Sequence, residues 1–491
     1  MYDNKYDVII IWSGLGWLSA WAILSQKWKD VLVFEKHYLF WWYATNFKRK
    51  DYEFDVALHQ IWWLEKTGFK NLLKNIWVLS KLKLIKHKYL YEAIYPDFEL
   101  KVENWNVWLL KKDLIKLFPN ESFGIKLWFF MMSYIWFQIR IWDFWQRNKL
   151  FYPFIMFFAP LLIPILAFGS NLKISTLLNK CTNDKKLQKI FMELIGYYWD
   201  DLNLSAIYYM VPSYWYYFDG WYYVYGWWQA VSDSFIDVIK SKWWELINNC
   251  EVLEIIYEWD IAIWVKTRKW EYYADTIICN ASPFILYEKL LNNNPKSEKE
   301  IQKLSTYEIW PSITSVYIWL NTTIENLNPR FKDSYIVTIN ENYEISFEKN
   351  NNIWFTITDN NHNKNIPVWK TVLTAALFEK YSQWDNLDIE EYKQKKKEKT
   401  ELLITRLEKY FPKIREFIEV IEYGTPKTME KYTGNKNWAV YWFSKKIGNE
   451  KQSDYWYKTY LENVYLSSAR SFGWWFEWVI RAWNEVCKKI K

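Results

Sequence analysis

The turn after the first predicted strand constrains this chain more than any other feature. Residues 8–21 read VIIIWSGLGWLSAW, an apolar run typical of a buried parallel strand followed by apolar residues at helical spacing. The spacing of a phosphate-binding strand–turn–helix unit, G-x-G-x-x-G, falls here on Trp12, Gly14 and Trp17. Two of the three positions therefore carry the bulkiest side chain where a nucleotide requires bare main chain.

Tryptophan at positions typical of glycine occurs along the whole chain. Glycine accounts for 12 of 491 residues, about 2% against a usual share of roughly 7%, whereas tryptophan accounts for 37. Trp28 lies between a predicted helix and the next strand, and Trp259 and Trp270 lie at tight turns, all places where glycine is usual. Trp384 lies in no turn context, and we interpret it as a genuine tryptophan. Adjacent pairs that read naturally as Gly-Gly are Trp41–Trp42, Trp62–Trp63, Trp227–Trp228, Trp243–Trp244 and Trp474–Trp475.

We therefore hypothesise that most of these tryptophans are glycines decoded with the wrong genetic code. Some codes read the UGA codon as glycine and others read it as tryptophan. A composition rich in Lys, Asn, Ile and Tyr suits an AT-rich genome. The alternative is a protein that is truly rich in tryptophan.

The first two predicted strands form a βαβ unit. Strands at 6–11 and 30–36 are joined by a helical pattern, and Glu35 lies 18 residues after Trp17, close to the roughly 20 expected for a ribose-binding acid. We expect Glu35 to accept hydrogen bonds from ribose hydroxyls, while the helix N-terminus near Gly14 and Gly16 faces a diphosphate. A surface acid is the alternative role for Glu35.

Length, charge and cysteine content limit the class of protein. A chain of 491 residues is long enough for two or more domains. The net charge of +7 is mild, and the lysine run at 390–403 interleaves acids and bases, which favours a solvated helix face over a nucleic-acid tail. No signal peptide is visible, and the four cysteines have no metal spacing, which indicates a cytoplasmic protein without disulfides. These cysteines are Cys181, Cys250, Cys279 and Cys487.

Residues 150–169 form an uncharged segment of nearly membrane-spanning length. Pro153, Pro160 and Pro164 each remove a backbone donor, which disfavours one straight transmembrane helix. A buried element is the second possibility. We favour a lipid-facing segment, flanked by Arg147 and Lys149 at the head groups.

Several ordered motifs resemble one flavoprotein superfamily. Residues 39–63, LFWWYATNFKRKDYEFDVALHQIWW, contain a candidate Gly-Gly turn followed by Phe54, Asp55, Ala57 and His59. This resembles the F-D-x-G-x-H element of the phytoene desaturase, carotenoid isomerase and retinol saturase superfamily, with Ala57 at the second small residue.

The resemblance continues along most of the chain. The stretch at 218–255 is similar to the family's Y-Y-x-x-G-G segment and the strand around Val252, and the stretch at 423–442 is similar to its T-P-x-T segment. The stretch at 463–483 resembles its closing motif, which wraps the flavin and places backbone donors near Val479.

The resemblance implies an α/β fold with an FAD/NAD(P)-binding, Rossmann-like three-layer domain and a second, α+β substrate domain. We predict that residues 1–85, 215–300 and 445–491 form the discontinuous FAD-binding domain. Residues 86–214 and 301–444 are predicted to form the substrate domain, which includes segment 150–169. FAD is the implied cofactor, and no metal cluster or Ser-His-Asp arrangement stands out. The implied cofactor-binding residues are Trp12, Ser13, Gly14, Gly16, Trp17, Glu35, Lys36, Trp41, Trp42, Val252, Gly473, Trp474, Trp475 and Val479.

The function implied by the resemblance is FAD-dependent hydride exchange or cis–trans isomerisation on a long, carotenoid- or retinoid-like polyene, delivered from a membrane by peripheral contact. His59 faces the flavin or the substrate in this interpretation; a structural histidine is the alternative. The aromatic cluster at 208–225 lines a polyene tunnel or packs in a core. Two rival functions share the fold: an isoprenoid-binding escort protein without flavin, and a flavin amine oxidase. The electron partner is left open.

Overall fold

The computed structural model describes most of the chain. The described residues are 4–14, 20, 24, 27, 29–37, 44–56, 60–61, 69–147, 152–168, 171–197, 202–240, 245–292, 294–309, 311–345, 352–435, 443, 447, 458–467, 486–487 and 490, without the side chains of 69, 72, 143, 145–147, 152–156 and 167–168.

The strands of these residues form two seven-stranded sheets and two two-stranded sheets. The strands are β1 (Lys5–Ile11), β2 (Val31–Phe34), β3 (Asn46–Arg49), β4 (Tyr52–Asp55), β5 (Leu84–Ile85), β6 (Tyr89–Ile94), β7 (Glu99–Glu103), β8 (Tyr223–Val224), β9 (Glu245–Ile247), β10 (Val252–Glu258), β11 (Ile261–Thr267), β12 (Glu271–Cys279), β13 (Ser312–Leu320), β14 (Ile336–Ile339), β15 (Ile353–Thr358), β16 (Thr371–Glu379), β17 (Ile418–Gly424) and β18 (Val464–Leu466).

The first sheet has a parallel centre. Its order is β10-β11-β12-β1-β2-β9, and β18 pairs with β12 beside this path. β1 runs parallel to β12 and to β2, and β9 and β18 are also parallel to their neighbours. The last four residues of β1 and all of β2 are buried, as expected for strands covered on both faces. The predicted strands at 6–11 and 30–36 are confirmed to within two residues at each end.

The second sheet is mostly antiparallel. Its order is β17-β13-β16-β15-β14-β6-β7, and only the β14–β6 pair is parallel among its described ladders. All nine residues of β13 are buried because the strand is covered on both faces. The strands of the first sheet fall within residues 1–85, 215–300 and 445–491, and those of the second within 86–214 and 301–444. The exact domain boundaries stay a prediction.

The helices of the described chain lie around these sheets. They are α1 (Phe69–Asn75), α2 (Val107–Leu117), α3 (Ser122–Arg147), α4 (Tyr152–Leu162), α5 (Pro164–Phe168), α6 (Ile174–Cys181), α7 (Lys185–Phe191), α8 (Ala206–Asp219), α9 (Trp227–Lys240), α10 (Pro283–Ile285), α11 (Pro295–Ser305), α12 (Ile324–Leu327), α13 (Ile389–Glu408) and α14 (Pro426–Thr433). The lysine run forms α13, as predicted. Asp388 and Glu391 begin this helix with a capping box, and Leu403 and Leu407 bury its inner face against the second sheet.

The uncharged segment folds into two short helices, α4 and α5. The N–H of Ile163 still donates to the carbonyl of Ala159 at 2.9 Å, but Pro164 has no N–H and begins α5, whereas Pro160 lies inside α4. The buried Gln138 side chain of α3 accepts hydrogen bonds from the N–H groups of Ile165 and Leu166 at 3.0 and 3.3 Å, which caps α5. Among the described helices, none combines the length and apolar character needed to cross a membrane.

A buried carboxylate holds part of the second sheet together. The fully buried Glu92 side chain on β6 accepts hydrogen bonds from Arg330 Nε at 2.9 Å and from Ser334 Oγ at 2.6 Å. Lys101 Nζ on β7 lies 3.1 Å from the same carboxylate. Because Arg330 lies just before β14, this cluster connects β6 to β7 and β14.

We predict that Arg330→Met destabilises the protein more than Arg415→Met. Arg330→Met removes the guanidinium that donates to the buried Glu92 carboxylate, so it should lower the free energy of unfolding by about 3 kcal/mol. Arg415 pairs with Glu401 and Glu408 at the surface, so its loss should cost less than about 1 kcal/mol. Urea unfolding of the two variants measures both values. Equal losses would contradict a structural role for the buried cluster.

Candidate functional site

The parallel strands of the first sheet end at one edge. Trp12 follows β1, Glu35 follows β2, Asn280 follows β12 and Ser467 follows β18. The N–H of each of these residues donates to the last carbonyl of the neighbouring strand at 2.9 to 3.0 Å. In open α/β sheets, ligands bind outside the carboxyl ends of the strands. This edge is therefore the candidate site, and it contains the predicted phosphate-binding turn.

Glu35 connects the end of β2 to the turn after β1. One carboxylate oxygen accepts hydrogen bonds from the N–H of Ser13 at 2.8 Å and from the Ser13 hydroxyl, and the other accepts from the N–H of His37 at 2.9 Å. The side chain is fully buried. Burial raises the pKa of Glu35, and the hydrogen bonds from Ser13 and His37 oppose that rise. The alternative of a surface acid is therefore wrong.

Gly14 lies against the side chain of Asn280. A Cβ atom added to it would lie 2.5 Å from Asn280 Nδ2, well inside van der Waals contact. The same amide donates to the carbonyl of Trp12 at 3.3 Å. A side chain at position 14 would therefore displace this amide, which agrees with the glycine that the motif spacing predicts.

Trp12 fills the crevice at this edge. Its φ of 72° lies in the left-handed region, and its side chain is only 8% exposed. The Lys36 ammonium lies 4.3 Å from the indole centroid, a cation–π contact. On the other side, the indole lies 3.4 Å from the position of a Cβ atom added to Gly434. The indole therefore occupies the space between β1, the end of β2 and the loop after α14.

A dinucleotide does not fit against this turn as the sequence is printed. Its diphosphate requires bare main chain at the turn after β1. Gly14 offers such main chain, whereas the Ser13 N–H already donates to Glu35. The Trp12 indole fills the adjacent crevice, so the side chain at position 12 does not agree with a nucleotide at this turn.

The remaining predicted site residues divide into two groups. Val252 begins β10 and is buried, and the N–H of nearby Cys250 donates to the carbonyl of Glu35 at 2.9 Å. Burial lowers the pKa of Lys36. The structure thus brings Trp12, Ser13, Gly14, Glu35, Lys36 and Val252 to one region, and their role in cofactor binding stays a prediction. The other predicted positions lie outside the described residues: Gly16, Trp17, Trp41, Trp42, His59, Gly473, Trp474, Trp475 and Val479.

Asp55, from the F-D element, is the last residue of β4. One of its carboxylate oxygens lies 3.5 Å from the hydroxyl of Tyr223 on β8, and the other, Oδ1, is buried and has no hydrogen-bond partner among the described residues. Burial of the carboxylate raises the pKa of Asp55 well above its ordinary value, which favours the neutral acid. The contact with Tyr223 joins β4 to β8.

His87 and His362 form a stacked pair that no sequence pattern predicted. Their rings stack with centroids 5.0 Å apart, and His87 also stacks on Tyr335 at 4.7 Å. His362 Nδ1 lies 2.7 Å from a carboxylate oxygen of Asp359. The Nε2 atoms of both histidines are buried and have no hydrogen-bond partner in the described part of the structure. The two positions are 275 residues apart, so no local pattern connects them.

The aromatic cluster at 208–225 packs in the core where the structure describes its buried side chains. Residues 206–219 form the helix α8 rather than strands. The Tyr209 hydroxyl donates to the carbonyl of Phe191 at 2.6 Å, and the Tyr216 hydroxyl donates to that of Leu90 at 3.3 Å. These contacts support the core interpretation over a tunnel lining for both tyrosines.

We predict that His87 makes the protein less stable in acid. Burial, together with the neighbouring His362, lowers the pKa of His87 to about 3, whereas an unfolded histidine has a pKa of about 6.5. Between these values only the unfolded state takes up the proton, so stability falls by up to about 1.4 kcal/mol per pH unit as the pH decreases. Above pH 6.5 both states are neutral and the effect is absent.

Comparison with His87→Phe isolates this effect. The phenylalanine retains ring stacking but cannot titrate, so its unfolding free energy should fall less steeply between pH 6.5 and pH 4. Measurements at pH 8 control for lost packing. Parallel pH profiles for the two proteins would show that His87 does not carry the effect.

Known proteins resemble this chain in sequence along most of its length. Prolycopene isomerase 2, chloroplastic, from an Oncidium hybrid cultivar is 24% identical over 445 residues, which cover 87% of this chain and 74% of the relative. All-trans-retinol 13,14-reductase from Danio rerio is 23% identical over 477 residues, which cover 89% and 77%. No protein-family model matches the chain. The similarity confirms the superfamily resemblance predicted from the motifs.

Solved structures share the fold. An oxidoreductase from Methanosarcina mazei has a TM-score of 0.67 at 14% identity and covers 99% of this chain and 100% of its own. A putrescine oxidase bound to putrescine has a TM-score of 0.62 at 13% identity, with 99% of both chains covered. The predicted α/β class, with a Rossmann-like dinucleotide-binding domain and a second domain, is confirmed.

Proposed function

We infer that this chain, which matches the phytoene desaturase, carotenoid isomerase and retinol saturase superfamily in sequence and in fold, is an FAD-dependent enzyme that acts on a long polyene. The names of its relatives specify isomerisation of prolycopene and reduction of all-trans-retinol. The proposal accordingly covers cis–trans isomerisation and saturation of a C=C bond.

One observation carries this proposal. The similarity to the two polyene enzymes covers 87% and 89% of the chain, so it extends well beyond the dinucleotide unit into the second sheet. A shared nucleotide fold alone would leave the substrate undefined, because one fold serves many reactions. Similarity across the second sheet supports a related substrate class.

The test uses protein purified from its native host, supplied with FAD and a reductant. We expect it to isomerise or saturate a cis-polyene presented in phosphatidylcholine vesicles, with products identified by chromatography and absorbance. Reactions without FAD and reductant are the control. Turnover of putrescine with none of the polyene would indicate an amine oxidase, and a bound isoprenoid without flavin or turnover would indicate an escort protein. Either result would overturn the proposal.

Peripheral contact with a membrane is the second part of the proposal, because a polyene of this kind is insoluble in water. The phenylalanine stripe of α3, which consists of Phe123, Phe130, Phe137 and Phe144, supports this contact. These side chains are 55 to 76% exposed and recur every seven residues, nearly two helical turns, so they lie along one face. An exposed apolar row of this length marks an interaction surface.

The segment after α3 continues this surface. Ala159 of α4 and Ile163, which follows this helix, pack against Trp142 near the end of α3. Phe157 and Leu161 of α4 stay exposed. Lys126 and Arg140 are exposed on α3, whose sequence contains one acid, Asp143. Apolar side chains beside basic ones match the acyl chains and anionic head groups of a bilayer surface. We propose that α3 and α4 lie on such a surface.

We predict that the double variant Phe130→Asp with Phe137→Asp loses most binding to vesicles that contain anionic lipid. The new carboxylates oppose both burial in acyl chains and contact with anionic head groups. The matched control is Val368→Asp with Ile389→Asp, which alters two exposed apolar residues outside the stripe. Co-sedimentation measures the bound fraction. Unchanged binding of the stripe variant, or equal loss in the control, would contradict the proposed surface.

A further inference from the structure

The backbone conformation of the tryptophans bears on the misfit at the candidate site. Nine non-glycine residues of the described chain have a positive φ, and five of them are tryptophan: Trp12, Trp77, Trp105, Trp227 and Trp259. Tryptophan makes up 37 of the 491 residues, so in proportion to its abundance fewer than one of these nine positive-φ residues would be tryptophan. Residues with a side chain as large as that of tryptophan rarely adopt a positive φ, whereas glycine adopts it without strain.

Trp77 occupies the position at which glycine ends helices. After α1, the N–H of Trp77 donates to the carbonyl of Lys74 at 3.0 Å, and the N–H of Val78 donates to that of Leu73 at 3.1 Å. These two bonds define a Schellman motif, and its left-handed residue, here Trp77 with a φ of 57°, is usually glycine. Val78 and Leu73 are buried in the same core, as this motif requires.

Trp259 occupies a tight hairpin turn. Glu258 pairs with Ile261, so Trp259 and Asp260 form a two-residue loop between β10 and β11. Such loops demand positive φ and favour glycine. The Trp259 side chain is 94% exposed, so no packing offsets the strain of its φ of 57°.

Trp227 combines strain with an unsatisfied polar atom. It begins α9 with a φ of 64°, its side chain is fully buried, and its indole Nε1 has no hydrogen-bond partner among the described residues. A buried indole normally finds an acceptor. Glycine removes both costs.

Two other tryptophans show the opposite pattern. The fully buried Trp384 donates from Nε1 to a carboxylate oxygen of Glu379 at 3.2 Å and has a φ of −118°. The buried Trp319 donates from Nε1 to the carbonyl of Glu53 at 2.8 Å. Both side chains make contacts that glycine would forfeit.

We propose that the native polypeptide carries glycine at positions 12, 77, 105, 227 and 259 and tryptophan at 319 and 384, because one codon is read as tryptophan in the printed sequence and as glycine in the cell. This assignment rests on backbone geometry and does not depend on the polyene substrate. Glycine at position 12 empties the crevice beside Ser13 and Gly14. The edge of the first sheet then offers bare main chain to the diphosphate of FAD.

Peptide mass spectrometry of protein from the native host tests the assignment directly. We expect glycine at the five left-handed positions and tryptophan at 319 and 384. Tryptophan at the five positions would overturn the proposal, and so would glycine at 384. The readout is independent of activity, so a failed polyene assay leaves this result unaffected.

Stability provides a second test in the printed chain. Trp259→Gly relieves a strained turn and should lower the unfolding equilibrium constant roughly tenfold, since a left-handed residue costs about 1–2 kcal/mol. Trp384→Gly empties a packed, hydrogen-bonded site and should lower the melting temperature. If Trp259→Gly and Trp384→Gly destabilise the protein to a similar degree, the distinction between the positive-φ tryptophans and the buried, hydrogen-bonded ones is contradicted.

Flavin retention tests the consequence for the site. A chain with glycine restored at the five positions and at the Gly-like positions 17, 41, 42, 474 and 475 is compared with the same chain carrying Trp at 12. Flavin absorbance that survives gel filtration should be present in the first and absent in the second. Equal retention would overturn the claim that the Trp12 indole excludes the cofactor. If neither chain retains flavin although the fluorescence of Trp384 shows that both are folded, FAD is not the ligand of this edge of the first sheet.

Discussion

The parallel pairing of β1 with β12 on one side and β2 on the other is the constraint on which the candidate site depends. It brings the ends of strands from distant parts of the chain to one edge, where each following N–H bonds to a neighbouring strand. The chain must turn sharply at position 12, and the buried Glu35 then fixes the turn through Ser13. Because both constraints act on the main chain, any side chain at position 12 lies in the crevice.

Sequence patterns predicted the features that depend on residues close to one another in the chain. The continuous apolar runs of β1 and β2 identified buried parallel strands, and the position of Glu35 followed from the end of β2. The interleaved charges of 390–403 indicated an exposed helix face, which α13 has. The sequence predicted no turn around Trp384, and this was wrong, because Trp384 lies in the turn after the short helix Tyr381–Gln383. Its buried, hydrogen-bonded indole nevertheless agrees with the interpretation as a genuine tryptophan.

Other features depend on contacts that the sequence does not display. His87 and His362 meet because the second sheet pairs strands from distant segments. Trp270 lies in a turn, as predicted, but it is not among the residues with positive φ; its N–H donates to the Thr267 hydroxyl at 3.1 Å, which satisfies the turn without a left-handed residue. The seven-residue spacing of the phenylalanine stripe was visible in the sequence, but only the packing of α3 shows that this face is exposed.

The pairing of β18 with β12 has a consequence for biosynthesis. Residues 277–279 of β12 bond to β1 on one side and to β18 on the other, and β18 begins at residue 464. A ribosome that adds 5–20 residues per second needs roughly 10 to 40 seconds to make the intervening chain. During that interval the end of β12 is an unpaired strand edge on a nascent protein, which can pair with another chain. Until translation passes β18, this edge of the nascent protein therefore stays open to such pairing.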